Sequence, residues 1–160
     1  MKGNKITIQH FKGNNKTICI LVAEWHKDIT GKLLKGAKKT LIENGVHSKA
    51  IIVNEVPGSY ELPLGAQWII QKHRPDAVIC LGCVIKGETP HFDFIAAAVA
   101  NAIMELNIEH NIPVIFGVLT TNTFKQAINR SGGKHGNKGE EAALAALKML
   151  ELREKATIEF

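Results

Sequence analysis

A histidine beside a short turn containing glycine and threonine is the strongest chemical signal in the sequence. His91 follows the segment KGETP, residues 86–90. Gly87 permits close approach of a ligand to the backbone, Pro90 suits the first turn of a helix, and the Thr89 hydroxyl and free helix N–H groups can hold a phosphate. Because imidazole changes its charge close to neutral pH, this arrangement predicts proton transfer next to a bound anion. Taken alone, the turn is equally typical of an ordinary helix entry.

A second cationic segment, RSGGKHGNKG at residues 130–139, precedes the last predicted helix. Arg130 can grip an oxyanion with two parallel hydrogen bonds, and Lys138 adds another positive charge. These features indicate a phosphate site. The alternative is a flexible turn between two helices whose charges are solvated.

Aromatic and acidic side chains occupy two further loops. The indole of Trp25 lies in a polar loop, where it can stack on a heterocycle or cover the edge of the core, and Tyr60 presents the same choice. Glu61 opens a helix, where a carboxylate is also favourable for the helix dipole alone. Each residue has a structural explanation by itself, but together with His91 and both cationic segments they favour a functional site.

Parallel strands would bring these loops together. Four β-branched apolar runs, at residues 17–23, 50–56, 77–81 and 113–119, alternate with helical patterns. Strands of this kind indicate a parallel sheet covered on both faces, so we predict an α/β fold, a three-layer αβα sandwich with a four-stranded parallel sheet. Ligands of such sheets bind outside the carboxyl ends of the strands, where these loops lie.

The same topology sorts the seven histidines. Three can reach the carboxyl edge of the sheet: His26, His91 and His135. The others fall after helices or near the N-terminus: His47, His73, His110 and His10. The first group therefore contains the candidate proton shuttle.

The helical segments differ in how much surface they should bury. Residues 92–108 are rich in alanine and apolar on several faces, so we predict that this is the most buried helix, packed between layers or between subunits. A short helix at residues 124–129, a glycine-rich link at residues 131–139 and an amphipathic helix at residues 140–154 follow it.

The N-terminal residues form a separate unit in this interpretation. Residues 1–16 are a polar arm, and residues 17–160 are a single α/β domain. Within the arm, Ile6, Ile8 and Phe11 are candidates for a fifth strand at the edge of the sheet.

Composition excludes several classes of protein. The chain has 160 residues, of which 45% are hydrophobic and 22% charged, with a net charge of +5. Disordered tails, collagen-like chains and disulfide miniproteins have other compositions. No apolar run of 18 residues and no secretory leader are visible, which predicts a cytoplasmic location and no membrane partner. The positive charge suits anionic small molecules, and cations scattered without interleaved aromatic residues argue against a nucleic-acid partner.

The three cysteines do not form a recognisable site. Cys80 and Cys83 have CxxC spacing, but residues three apart on a strand point to opposite faces, and no second Cys or His pair completes a zinc tetrad. We therefore predict no metal site and no redox function.

Four segments, in order and spacing, resemble the lumazine synthase (6,7-dimethyl-8-ribityllumazine synthase) family. They are VPGSYELP (residues 56–63), LGCVIKGETPHFD (residues 81–93), FGVLTT (residues 116–121) and GNKGEEA (residues 136–142). The resemblance covers residues 16–155 and implies a sheet in flavodoxin-like strand order.

The resemblance implies a reaction without a metal or an organic cofactor. The amine of 5-amino-6-(D-ribitylamino)uracil condenses with 3,4-dihydroxy-2-butanone 4-phosphate through an imine, phosphate leaves, and the ring closes. This chemistry needs proton transfers, an oxyanion site and two substrates held together, all of which the motifs can supply.

Functional residues follow from the resemblance position by position. His91 matches the family's proton-transfer histidine, and Asp93 matches a residue that orients it. Arg130 matches the arginine that binds the phosphate, and Lys138 matches a lysine near the reacting groups. The residues expected to bind substrate are Trp25, Gly58, Ser59, Tyr60, Glu61, Cys83, Val84, Ile85, Lys86, Glu88, Thr89, Phe116 and Arg130. Trp25 matches the aromatic that stacks on the pyrimidine, and residues 59–61 match the ribityl-binding stretch.

The resemblance also implies an assembly. Members form pentamers, often twelve to a hollow shell of sixty subunits, with sites between subunits and with riboflavin synthase as a candidate partner. The chain departs from many members at Trp25, where Phe is common, and at His26, where Asn is common. The larger indole raises a second hypothesis, a non-catalytic flavin- or lumazine-binding module.

Overall fold

The computed structural model describes residues 13–158. The candidate edge strand around Ile6, Ile8 and Phe11 lies outside the described residues, as does most of the arm at residues 1–16. No helix in the described range is long and apolar enough to cross a membrane.

In the part of the chain that the structure describes, four parallel strands form the central sheet. They are β1 (Ile18–Ala23), β2 (Ile51–Val56), β3 (Ala77–Ile85) and β4 (Val114–Thr121). Their order is β2-β1-β3-β4, which confirms the predicted parallel sheet and its flavodoxin-like order.

Within residues 13–158, five helices and a small hairpin accompany the sheet. The helices are α1 (Lys27–Glu43), α2 (Leu62–His73), α3 (His91–His110), α4 (Phe124–Arg130) and α5 (Lys138–Ile158). Short 3₁₀ turns at Ser48–Ala50 and Ser59–Glu61 precede β2 and α2. The link predicted at residues 131–139 instead contains two short antiparallel strands, β5 (Ser131–Gly133) and β6 (Gly136–Asn137), before α5 begins.

Alternating strand residues fill two separate core layers, as the period of two in a strand requires. On one face, Ile20 and Ile79 pack with Leu33 of α1 and Leu147 of α5. On the other face, Leu21 and Cys80 pack with Leu62 of α2 and Ile103 of α3. The predicted three-layer αβα sandwich is therefore confirmed.

The cysteines follow the same alternation. Cys80 belongs to the layer beneath α2 and α3, whereas Cys83 belongs to the layer beneath α1 and α5, so the CxxC pair points to opposite faces as predicted. Burial raises the pKa of the Cys80 thiol to about 12. Burial, together with the charge of Asp28, raises the pKa of Cys83 to about 11. Both thiols are therefore protonated near neutral pH.

Strand β3 extends four residues beyond its predicted end at Leu81. The extension is paired, with Cys83 opposite Leu119 and Ile85 opposite Thr121 of β4. Cys83 is also buried in the core, so hydrogen bonding and packing both favour continuing the strand. The loop that begins the candidate anion site therefore starts at Lys86.

Helix α3 is not the most buried helix within a single chain. Its buried residues are Val99, Ile103 and Leu106, whereas Phe94 and Ile108 are 71% and 80% exposed. The prediction of burial was wrong for the isolated chain because only one side of α3 rests on the sheet. An apolar face of the helix remains uncovered.

Candidate active site

A cavity of about 910 Å³ opens at the carboxyl edge of the sheet. Its lining residues come from the ends of β1, β2 and β3 and from the start of α3. They are Trp25, His26, Pro57, Gly58, Ser59, Tyr60, Glu61, Cys83, Val84, Ile85, His91, Phe94, Ile95 and Ala98. The structure therefore brings the predicted aromatic, carboxylate and imidazole groups together in one place.

The loops after β1 and β2 are joined by backbone hydrogen bonds. The N–H of Glu24 donates to the Val56 carbonyl at 2.8 Å, and the N–H of Trp25 donates to the Pro57 carbonyl at 3.2 Å. This link fixes the backbone of Trp25 while its side chain stays 73% exposed. The indole face is therefore available for stacking on a planar ligand.

His26 turns the chain from this loop into α1. Its backbone has the left-handed conformation, with φ of 62°, and its carbonyl accepts from the N–H groups of Ile29 and Thr30 at 2.8 and 2.9 Å. A non-glycine residue in this region is uncommon. The turn places His26 on the cavity wall beside Trp25.

The 3₁₀ turn Ser59–Glu61 forms the wall contributed by β2. Ser59 is buried, whereas Tyr60 and Glu61 are exposed. A Cβ built on Gly58 would lie 3.1 Å from Oε2 of Glu61, so the carboxylate folds back over the glycine. This wall offers a hydroxyl, a phenol and a carboxylate, which are suitable partners for a polyol chain.

His91 is the first residue of α3 and lines the cavity with an exposed side chain. Asp93 donates its backbone N–H to the Pro90 carbonyl at 3.0 Å. No hydrogen bond joins the side chains of His91 and Asp93 in the described structure, so the expected orienting contact is not formed here. The imidazole is free to reach a ligand.

The turn at residues 86–90 precedes His91 and is exposed throughout. Lys86 anchors this turn to the sheet, because its N–H donates to the Thr121 carbonyl at 2.8 Å. Lys86, Glu88 and Thr89 do not line the cavity themselves, although they lie next to His91 in the chain.

Arg130 and Lys138 form a charged cluster with Glu141, separate from the cavity lining. The two terminal guanidinium nitrogens of Arg130, Nη1 and Nη2, donate to Glu141 at 2.7 and 2.8 Å, and Nη1 also donates to the His135 carbonyl at 2.5 Å. The Lys138 ammonium lies 3.7 Å from the same carboxylate. Arg130 and Lys138 together hold the pKa of Glu141 below its usual value, and the hydrogen bonds from Arg130 are the largest cause.

Asn137 fixes the position of Lys138. Its buried side chain accepts from the N–H groups of Gly139 and Glu140, at 2.8 and 3.3 Å, and donates to the Lys32 carbonyl of α1 at 3.0 Å. A Cβ on Gly139 would overlap the Leu33 carbonyl. The segment therefore needs Asn and Gly where it has them, because α5 begins in direct contact with α1.

Phe116 also lies away from the cavity lining. It is in the middle of β4, opposite Cys80, and is partly buried against the core layer beneath α2 and α3. Within one chain, Phe116 and the cationic cluster therefore do not join the cavity that contains His91.

The three α3 residues Phe94, Ile95 and Ala98 were missed by the sequence analysis. Together with His91 they have the spacing i, i+3, i+4 and i+7, which places them on one side of a helix. Extending that face from His91 would have predicted them. They give the cavity an apolar wall.

Comparison with known proteins identifies close relatives. The sequence model described as 6,7-dimethyl-8-ribityllumazine synthase matches residues 15–154. A 6,7-dimethyl-8-ribityllumazine synthase of Cytophaga hutchinsonii is 56% identical over 137 residues, covering 86% of each chain. One from Porphyromonas gingivalis is 53% identical over 137 residues, covering 86% of this chain and 85% of its own. One from Phocaeicola vulgatus is 50% identical over 141 residues, covering 88% of this chain and 84% of its own.

Proposed function

The chain belongs to the 6,7-dimethyl-8-ribityllumazine synthase family, and from this premise we propose that its carboxyl-edge cavity forms 6,7-dimethyl-8-ribityllumazine. The enzyme is a transferase of riboflavin biosynthesis. It condenses 5-amino-6-(D-ribitylamino)uracil with 3,4-dihydroxy-2-butanone 4-phosphate and releases phosphate and water. The observation that carries the proposal is the meeting of Trp25, Glu61 and His91 in one cavity.

The pyrimidine substrate fits the part of the cavity built from β1, β2 and β3. The exposed indole of Trp25 stacks on the ring, which favours a flat, polarisable ligand. Cys83, Val84 and Ile85 line the edge of the ring, and we assign Lys86, the next residue in the chain, to the same edge although it lies outside the cavity lining. The polar turn Ser59–Glu61, with Gly58 before it, receives the ribityl hydroxyls.

His91 transfers the protons of the reaction. Imine formation needs a proton delivered to the departing hydroxyl of the adduct, and phosphate elimination needs a proton removed from carbon. His91 is exposed on the wall of the cavity, and an imidazole has one nitrogen that can accept a proton and one that can donate it, so His91 can perform both steps.

The phosphate binds at residues 88–89 and at Arg130. Glu88 and Thr89 are exposed residues that precede His91 in the chain, and we assign the backbone of Glu88 and the hydroxyl of Thr89 to the phosphate. Arg130 and Lys138 do not line the cavity of their own chain, and neither does Phe116. We therefore assign these three residues to the cavity of a neighbouring subunit.

Uncovered apolar side chains support an assembly with shared sites. Several large apolar side chains of α2 and α3 are more than half exposed in the single chain: Leu64, Trp68, Phe94, Met104 and Ile108. Apolar area of this kind is typical of protein interfaces. We propose a homopentamer, compatible with further assembly into a sixty-subunit shell, in which α3 is covered by a neighbour.

The location proposed for this enzyme is the cytoplasm. Its three cysteines are free thiols, which is typical of proteins in reducing compartments.

Product formation tests the proposed function. Purified protein is incubated with both substrates, and the absorbance and fluorescence of the lumazine are followed while phosphate release is measured. Formation of lumazine and phosphate in equal amounts is the expected result. Binding of the pyrimidine without any product would instead favour the non-catalytic binding module.

A further inference from the structure

Gly82 of β3 lies against the 3₁₀ turn that forms the polar wall of the cavity. A Cβ built on Gly82 would overlap Oγ of Ser59, and it would lie 3.2 Å from Cβ of Ser59 and 3.1 Å from Cδ1 of Leu62. Gly82 itself is buried, in the middle of the strand pairing between β3 and β4. The turn is therefore seated directly on the backbone of β3.

The turn has little freedom to move away from this seat. Leu62, which follows the turn, is fully buried in the core layer beneath α2 and α3. The N–H of Glu61 donates to the Gly58 carbonyl at 3.3 Å, which closes the turn on its other side. Any side chain at position 82 must therefore displace Ser59 rather than pass beside it.

Ser59 is held by packing rather than by a hydrogen bond. Its residue is 7% exposed, and its Oγ is buried without a hydrogen-bond partner in the described structure. A buried hydroxyl without a partner is unfavourable for folding. Contact with the bare backbone of Gly82 thus sets where the turn lies.

We propose that Gly82 is a positioning residue. Because it has no side chain, the Ser59–Glu61 turn can lie close to the backbone of β3, and this position determines how tightly the turn binds the ribityl chain. This inference rests on the proposed function. Gly82 acts through Ser59, and the exposed Tyr60 and Glu61 move with the turn. The residue thereby determines the affinity for one of the two substrates.

The test compares the KM for each substrate in Gly82→Ala. An added methyl group forces the turn outward by a few tenths of an ångström, so the KM for the ribityl pyrimidine is expected to rise about five- to tenfold. The KM for the butanone phosphate should stay within about twofold of wild type, because its proposed binding groups are on other segments. Equal KM changes for both substrates, or none, would overturn the inference.

Gly117→Ala provides the matched structural control. Gly117 is on the neighbouring strand β4, and a Cβ there would lie 2.7 Å from Cδ2 of Leu81 and 2.8 Å from the Cys80 carbonyl. This variant should lower thermal stability at least as much as Gly82→Ala without a selective rise in the KM for the pyrimidine. The same selective rise in Gly117→Ala would show that general loosening of the sheet explains it, and would overturn the inference.

Removing the Ser59 hydroxyl tests the contact itself. In a Ser59→Ala background, the added effect of Gly82→Ala on the KM for the pyrimidine should fall to about twofold or less, because the overlapping atom is gone. If Gly82→Ala alone does not fold, recovery of folded protein in the double variant is the supporting result, and continued loss overturns the inference. Lumazine formation by the wild type separates the two proposals. If the wild type forms no lumazine, the proposed enzyme function is contradicted. If the wild type is active but Gly82→Ala leaves the KM for the pyrimidine unchanged, only this inference is contradicted.

Discussion

Arg130 and Glu141 form a two-point ion pair, with Nη1 2.7 Å from Oε1 and Nη2 2.8 Å from Oε2. The carboxylate orients the planar guanidinium before any ligand arrives, and the His135 carbonyl accepts a further hydrogen bond from Nη1. An anion that binds Arg130 meets a group whose direction is already set. Preorganisation of this kind reduces the entropic cost of binding.

Arg130→Ala should weaken binding of the phosphate substrate. We expect the KM for the butanone phosphate to rise about 10- to 100-fold, and the KM for the pyrimidine by about threefold or less, because charge-assisted hydrogen bonds contribute about 1.5–3 kcal/mol. Steady-state kinetics with each substrate varied in turn provides the measurement. Similar increases for both substrates would remove Arg130 from the phosphate site. Arg130→Lys is the control, since it keeps the charge but loses the two-point geometry.

Glu141→Gln should change how stability depends on pH. Arg130 holds the pKa of Glu141 below its ordinary value of 4.5, so the pair stabilises the fold above that pH. This contribution is lost as the pH falls through the lowered pKa, where the carboxylate of the folded protein becomes protonated. Because both side chains are partly exposed, the effect at neutral pH is at most about 1 kcal/mol.

Urea unfolding of both proteins between about pH 7 and pH 3 measures this effect. Wild type should be the more stable protein at neutral pH, and the difference from Glu141→Gln should shrink on acidification. A difference that stays constant over this range would contradict an ionic contribution of the pair.

Trp25→Ala should weaken binding of the pyrimidine substrate. Loss of a stacking surface worth about 0.5–1.5 kcal/mol corresponds to roughly a 2- to 13-fold rise in the dissociation constant. Trp25→Phe, which keeps an aromatic face, should retain more than half of that free energy. Titration with the pyrimidine alone measures the affinities. Equal binding by wild type and Trp25→Ala would show that the exposed indole does not contact the ring.

Ile108→Glu should disrupt the proposed pentamer. Ile108 is 80% exposed on α3, so a carboxylate there costs little in the isolated chain but becomes a buried, unpaired charge in an interface. Light scattering coupled to size-exclusion chromatography should show a smaller species than wild type. Ile42→Glu on α1, which is 47% exposed on the other side of the sandwich, is the control and should keep the wild-type size. Unchanged assembly in Ile108→Glu would remove this face of α3 from the interface.

The strands and the carboxyl-edge location were predictable because their causes are local. The continuous apolar runs predicted the first and last residues of the strands to within one or two positions of those in the structure, apart from the end of β3. That strand continues to Ile85 because it pairs with β4, a contact that no local pattern encodes. The hairpin around Gly133 and Gly136 was missed for a similar reason, since strands of two or three residues have too short a period to recognise.

The burial of individual site residues could not be predicted from the sequence. Trp25 and Ser59 both follow strands, yet the first is exposed and the second is buried against Gly82. That difference depends on how closely two segments approach one another, which only the three-dimensional structure shows. Within one chain, His91 lines the cavity whereas Arg130 lies outside it, and this separation is likewise a property of the tertiary structure.

The turnover number of His91→Ala relative to wild type tests the central role of the cavity most directly. We expect a decrease of ~10² to 10⁴ in kcat, the usual contribution of a positioned proton-transfer group, with the assembly unchanged. His47→Ala, which removes an exposed histidine before β2 at the opposite edge, should retain the wild-type rate. A His91→Ala enzyme that forms lumazine as fast as wild type would contradict the assignment of this cavity as the place where protons are transferred.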